Sequence, residues 1–206
     1  MTLKSSGLFV TLDGPGGVGK STALELSAVQ LDNAGALVHT TVEPSRASLG
    51  YLARHGTETY QGRELACLIA ADRYHHVRTE VQPALDQGYV VLCDRYIASS
   101  LVLQRLDGVD QQMIWELNRH VLRPDLSVIL TAAPGVIAKR LQARGAHSRF
   151  ERMHDNSARE ATLFTEAATF LQEAGFHTLV IDCTTRSPAQ VAEAVSHEIT
   201  ALLTGR

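Results

Sequence analysis

Gly14-Pro15-Gly16-Gly17-Val18-Gly19-Lys20-Ser21 is the stretch whose reading decides how this chain folds. It fits the pattern of Gly, four free positions, Gly, Lys and then Ser or Thr, which marks a loop that wraps nucleotide phosphates. Such a loop needs a strand before it and a helix after it. Leu8-Phe9-Val10-Thr11-Leu12 supplies an apolar strand, and residues 22–34 carry Leu24, Leu26, Val29 and Leu31 in a proline-free run that suits a helix. The glycines let backbone N–H groups turn inward on phosphate oxygens, while the helix N-terminus adds positive potential. Lys20 is expected to neutralise the β- and γ-phosphates, and the Ser21 hydroxyl to enter a Mg²⁺ shell. Residues 14–22, from Gly14 to Thr22, thus form the expected ATP-binding loop.

Outward from this motif, β-type apolar runs recur at residues 8–12, 36–41, 89–93, 126–131 and 177–182, with helical patterns between them. That alternation predicts an α/β fold, a five-stranded parallel sheet flanked by helices. Gly35, Gly88 and Gly175 stand as helix stops just ahead of strands. The last helix is expected over residues 188–203, with Ser187 as N-cap, Pro188 at its first position, and Val191, Val195, Ile199 and Leu202 as its apolar stripe. Residues 143–159 are poor in apolar side chains and interrupt two helical patterns, which suits a lid segment. The expectation is one domain over residues 1–206.

Bulk composition narrows the function. A chain of 206 residues, 45% hydrophobic and 20% charged, is an ordinary globule with room for a full core. Its net charge of −3 argues against a nucleic-acid or anionic-membrane binder. No apolar run nears the roughly 20 residues that span a bilayer, and the first residues lack a signal-peptide core. Cys67, Cys93 and Cys183 have no metal spacing and read as small buried thiols in a reducing cytoplasm. His75 and His76, being adjacent, make a poor metal pair.

Chemistry-bearing residues gather at one strand. Val90-Val91-Leu92-Cys93-Asp94-Arg95-Tyr96 delivers an acid and an arginine at a carboxyl end, where open α/β sheets bind their ligands. Asp94 is expected to help hold the metal and Arg95 to fork onto a phosphate. In the helix over about residues 62–86, Ile69, Arg73 and Val77 share a face, so Arg73 meets either a carboxylate or a ligand. Arg140, Arg144 and Arg149 precede or sit within the polar stretch, where arginines can neutralise a migrating phosphoryl group.

These segments together resemble the thymidylate kinase family of P-loop nucleoside monophosphate kinases over nearly the whole chain. The matching pieces are the phosphate loop with Phe9-Val10-Thr11-Leu12-Asp13, Glu43-Pro44, Ala70-Ala71-Asp72-Arg73 and Pro83-Ala84-Leu85. They continue through Asp94-Arg95-Tyr96-Ile97-Ala98-Ser99-Ser100, Pro124-Asp125-Leu126, Arg140-Leu141 and Arg149-Phe150-Glu151. The resemblance implies ATP and Mg²⁺ as cofactors, nucleotide substrates, and a cytoplasmic homodimer. It implies that Arg95 grips the acceptor's phosphate, that Arg73 reaches base and phosphate, and that Ser99, Ser100 and Gln104 line the pyrimidine pocket. Asp13 and Glu43 fall in its acceptor-side motifs, Arg149 in its lid, and the loop at residues 182–187 near its adenine.

Four positions depart from the family pattern. Gly16 stands where a carboxylate or other polar group faces the acceptor sugar, and Ile69 where an aromatic stacks on thymine. Leu103 replaces a tyrosine that closes the pocket, and Val42 replaces the arginine of Arg-Glu-Pro, with Arg46 nearby as a substitute. Gly16, Ile69 and Leu103 are expected to line one subsite. The phosphate-handling set of Lys20, Ser21, Asp94, Arg95 and Arg149 is complete. The expected activity is phosphorylation of dTMP to dTDP. The alternatives are another nucleotide or phosphorylated metabolite as acceptor, and more distantly a non-catalytic NTP-binding regulator.

Overall fold

A computed structural model describes residues 7–145, 149–152 and 156–205. Five parallel strands form one sheet in the order β2-β3-β1-β4-β5: β1 Leu8–Asp13, β2 Val38–Val42, β3 Val90–Asp94, β4 Leu126–Thr131 and β5 Thr178–Asp182. Every residue of β1 is buried, as a central strand covered on both faces must be, and the edge strand β2 is only half-buried. Alternation along β1 splits the core into two layers. Phe9 packs with the cluster on one face, while Leu8, Val10 and Leu12 join the cluster on the other.

The expected strands are all present, β4 with the bounds expected and the others displaced by one or two residues at their ends. Pairing sets those ends. Val42 lies opposite Asp94 in the β2–β3 register, and the Glu43 N–H then donates to the Asp94 carbonyl at 2.9 Å. Asp125 extends the β1–β4 pair: its Oδ2 accepts from Phe9 N at 2.7 Å and its own N–H donates to Phe9 O at 2.8 Å.

Helix α1, Lys20–Asn33, leaves the phosphate loop with no side-chain cap. α2 spans Ser48–His55. The single helix expected at residues 62–86 is three pieces: α3 Gly62–His76, a π-helical turn Val77–Val81, and α4 Gln82–Asp86. Pro83 has no N–H to give and breaks the regular ladder there. α5, Ile97–Leu106, and α6, Gln111–Leu117, follow β3. α7 Pro134–Arg144, the short α8 Arg149–Arg152 and α9 Asn156–Glu173 lie between β4 and β5. α10, Pro188–Thr204, begins as expected at Ser187, whose hydroxyl accepts from Gln190 N while the Gln190 side chain accepts from Ser187 N. One expectation fails: Cys67 is exposed, because Leu65, Ala66 and Ala70 take the core-facing positions of α3.

Candidate active site

The first helix begins where β1 ends, at the switch point between β3 and β4, so the loop opens into a crevice at the strands' carboxyl ends. Gly14, Gly17 and Gly19 have φ of 149°, 77° and 105°, conformations that L side chains rarely adopt. A Cβ on Gly14 would lie 2.4 Å from the Leu130 carbonyl oxygen, so the turn also lies hard against β4.

Lys20 is buried beneath the loop, its Nζ donating to the Gly14 and Pro15 carbonyls at 2.8 and 2.9 Å. Burial first, and then the Arg95 charge, push its ammonium down to about 7. A phosphate placed beside Lys20 would oppose that shift by favouring the charged form. The Ser21 hydroxyl donates to Asp94 Oδ2 at 2.6 Å, while Asp94 Oδ1 is buried with no hydrogen-bond partner among the described residues. A hydroxyl beside a carboxylate oxygen left over in this way is an oxygen donor set that suits a hard divalent cation.

Arg95 adopts φ of 74°, the one described residue other than glycine with positive φ. Strain of this kind persists where neighbours impose it. Its N–H donates to Leu12 O at 2.9 Å, and Tyr96 N donates to Asp13 Oδ1 at 2.9 Å, fixing the chain on both sides. Arg95 Nη1 is buried and finds no acceptor among the described residues.

A cavity beside this arginine is lined by Glu43, Pro44, Ile69, Arg73, Arg95, Tyr96, Ser99, Ser100, Leu103 and Gln104. Eight of the ten residues expected on the acceptor side line it. Gln104 Oε1, also buried and unpartnered among the described residues, gives it a second free polar atom. Arg73 meets both a carboxylate and the cavity. Its Nε donates to Glu43 Oε2 at 2.6 Å, its Nη1 to Asn118 Oδ1, and its Nη2 to Ser100 Oγ at 2.9 Å and Tyr96 O at 3.2 Å. The two acceptor-side residues that do not line the cavity are Asp13 and Arg46. Asp13 Oδ1 caps the start of α5, and Arg46 is exposed. Beside Arg73, which bonds Glu43, it is Arg54 and not Arg46 that is seen donating to the Pro44 carbonyl.

Of the departures, Ile69 and Leu103 do share the cavity wall, and Gly16 does not. The Gly16 N–H donates instead to Glu160 Oε1 at 3.2 Å, bringing a carboxylate from α9 to the loop. Gly17, Val18, Gly19, Thr22 and Arg140 line a second cavity with Cys183, Arg186, Pro188 and Val191. Arg140 is held there by the Val18 and Cys183 carbonyls at 3.1 and 3.3 Å. Arg149 stands apart from both cavities, its Nη2 bonded to Asp107 Oδ1 at 2.6 Å. Within the lid segment, the Arg144 side chain and residues 146–148 and 153–155 lie outside the described residues.

Sequence reading missed Asn118, Asp107 and Glu160, and it quoted Asp72 in a family motif without giving it a role. Asp72 accepts from Ser45 N and Ser45 Oγ at 2.6 Å each, pinning the turn that presents Glu43. No local pattern could have flagged these residues, because each partner lies tens of positions away in sequence.

A glycine-rich loop between strand and helix at the sheet's carboxyl edge, with an arginine-walled cavity after β3, has the architecture of a P-loop nucleoside monophosphate kinase. The chain belongs to the thymidylate kinase family: the profile described as Thymidylate kinase matches residues 12–194. A probable thymidylate kinase of Caldivirga maquilingensis is 40% identical over 152 residues, 72% of this chain and 74% of that protein. The thymidylate kinase of Clavibacter michiganensis subsp. michiganensis is 42% identical over 161 residues, covering 74% and 75%. A probable thymidylate kinase of Thermococcus gammatolerans is 36% identical over 179 residues, covering 78% and 86%.

Proposed function

We propose that this chain transfers the γ-phosphoryl group of ATP to dTMP, yielding ADP and dTDP. The observation that carries the reading is Arg95 Nη1, an atom buried in the wall of the cavity with no hydrogen-bond partner among the described residues. The names of the relatives make dTMP the acceptor of choice over another nucleotide or metabolite.

An acceptor phosphate oxygen, already anionic, attacks the γ-phosphorus. The bond to the β–γ bridging oxygen breaks, and ADP leaves with that electron pair. No protein nucleophile is required. Arg95 aligns the acceptor phosphate, Lys20 balances charge on the donor, and Arg73, Ser99, Ser100 and Gln104 orient the nucleoside. Ser21 and Asp94 are suited to hold a Mg²⁺ ion, which when bound neutralises phosphate charge. The cavity bounded by Arg140 and Arg186 takes the adenosine. Residues 1–206 act as one kinase domain, with about 143–159 as the lid that brings Arg149 and Arg144 to the phosphates. The same reading makes the protein a cytoplasmic homodimer, for which Tyr51, Leu52 and Tyr74 supply exposed apolar surface on α2 and α3. Among the described residues no helix is long and apolar enough to cross a membrane.

ADP release with Mg-ATP and a panel of dTMP, dUMP, UMP, CMP and dCMP tests this. Strong preference for dTMP is expected. Preference for another acceptor would make Ile69 and Leu103 marks of a changed pocket, and ADP release without any acceptor would defeat the kinase reading.

A further inference from the structure

His76 has no part in the transfer step, yet it is 1% exposed at the end of α3, with a carboxylate on either side of its ring. Its Nδ1 lies 3.2 Å from Glu43 Oε1. A carboxylate can only accept, so the Nδ1–H donates. Its Nε2 lies 2.8 Å from Thr41 Oγ1 on β2 and 3.7 Å from Glu80 Oε2 in the π-helical turn. Glu43 is thus held by both oxygens: Oε2 takes Arg73 Nε at 2.6 Å and Oε1 takes the imidazole.

Glu43 and Arg73 are walls of the acceptor cavity, whereas His76 is not. The Arg73 Nη atoms have their own anchors in Asn118, Tyr96 O and Ser100. What those anchors leave undetermined is the carboxylate plane against which Nε rests. A buried carboxylate oxygen deprived of its donor seeks another, and the open direction for Glu43 is the cavity. We propose that His76 is a positioning residue for the acceptor, which through Glu43 fixes the Arg73 guanidinium at the cavity wall. Supporting residues of this kind lock the rotamers of those that touch the ligand. The inference rests on reading that cavity as the acceptor site.

The test compares His76→Gln and His76→Leu, which lose the Nδ1 donor, with His76→Asn, whose amide nitrogen falls near the Nδ1 position. Losing one buried hydrogen bond to a charged group predicts an acceptor KM raised about tenfold in the Gln and Leu variants. Both kcat and the KM for ATP should stay within about twofold, the pattern of lost acceptor binding alone. His76→Asn should recover most of the acceptor KM. If the Leu variant does not fold, the contrast between Gln and Asn still decides.

A second readout needs no acceptor. The Arg73 Nε–H resonance, assigned by its disappearance in Arg73→Lys, should shift in His76→Gln and return in His76→Asn. A wild type that phosphorylates none of the monophosphates would defeat the acceptor reading and leave this spectral arm intact. An unmoved resonance, an unchanged acceptor KM in folded His76→Gln, or equal losses in the Gln and Asn variants would overturn the role of His76.

Discussion

Asp13 and Ser99 are joined twice: Asp13 Oδ1 accepts from the Ser99 N–H at 2.9 Å and from the Ser99 hydroxyl at 2.6 Å. With the Tyr96 N–H on the same oxygen, an acid at the end of β1 serves as the cap of α5, a helix from a distant part of the chain. Burial raises the Asp13 carboxyl, and these three hydrogen bonds oppose that rise. The cavity wall formed by Ser99, Ser100 and Gln104 therefore takes its position from the strand that carries the glycine-rich loop.

Removing the two halves of this contact should have unequal effects. Ser99→Ala should cost about 1 kcal/mol of stability, one net hydrogen bond. Asp13→Ala strands the helix N-terminus as well and should cost about 2–4 kcal/mol. Urea unfolding of both variants checks the ranking, and equal losses would refute the cap.

Arg95→Ala should separate the two substrates. The buried Nη1, without a hydrogen-bond partner among the described residues, predicts a fall of about 10²–10³-fold in kcat/KM for the acceptor. The ATP dissociation constant should change far less, since the loop and the Arg140 cavity are untouched and losing the Arg95 charge, which helps hold the Lys20 ammonium down, only favours its charged form. Acceptor kinetics near wild type would remove Arg95 from its assigned role.

Asp94→Asn should expose the metal requirement. Replacing one free carboxylate oxygen of the Ser21–Asp94 pair should raise the Mg²⁺ concentration for half-maximal velocity about tenfold or more. Chelation of Mg²⁺ should abolish wild-type turnover. A magnesium titration unchanged by the substitution would place the ion elsewhere.

Glu80 predicts a modest acid dependence of stability. Partial burial alone would raise its carboxyl, but hydrogen bonds from Thr41 and His39 outweigh that and hold it below its ordinary value. A carboxyl lowered in the folded state adds stability above its unfolded pKa, and that gain is lost as pH falls through the folded value. Glu80→Gln should therefore be less stable than wild type at pH 7, by under about 1 kcal/mol because the pair is half-exposed. The difference should disappear below the ordinary carboxylate range. Thermal melts from pH 7 down to pH 3 would show it, and a gap that widened in acid would contradict it.

Where the chemistry is local, the residues declare it. Glycine spacing, the helix behind it, the apolar strands and the Asp94-Arg95 pair at a strand end all announce themselves within a few positions. Ser187 and Pro188 mark the start of the last helix for the same reason, because a cap acts within one turn. Arg73 shows the limit. Its face on α3 follows from helical spacing, but Glu43 and Asn118, which share its guanidinium, come from separate loops. Gly16 shows it more sharply. Sequence alone puts it in one subsite with Ile69 and Leu103, but in the fold it stands outside their cavity, its N–H bonded to Glu160 from 144 residues away.

By itself the sequence determined the strand–loop–helix unit, the parallel α/β class and the family, and it pointed to the two ends of the proposed phosphate-transfer machinery. Those depend on backbone conformation and short-range periodicity, which a few neighbouring side chains settle. Tertiary structure decided which polar atoms are satisfied and which are left free. Pairings such as Asp13 with Ser99, Glu43 with Arg73 and His76, and Asp107 with Arg149 form only when distant segments pack together. Burial then makes each missing partner count, and so Arg95 Nη1, Asp94 Oδ1 and Gln104 Oε1, without hydrogen-bond partners among the described residues, stand out as a candidate site only in the folded chain.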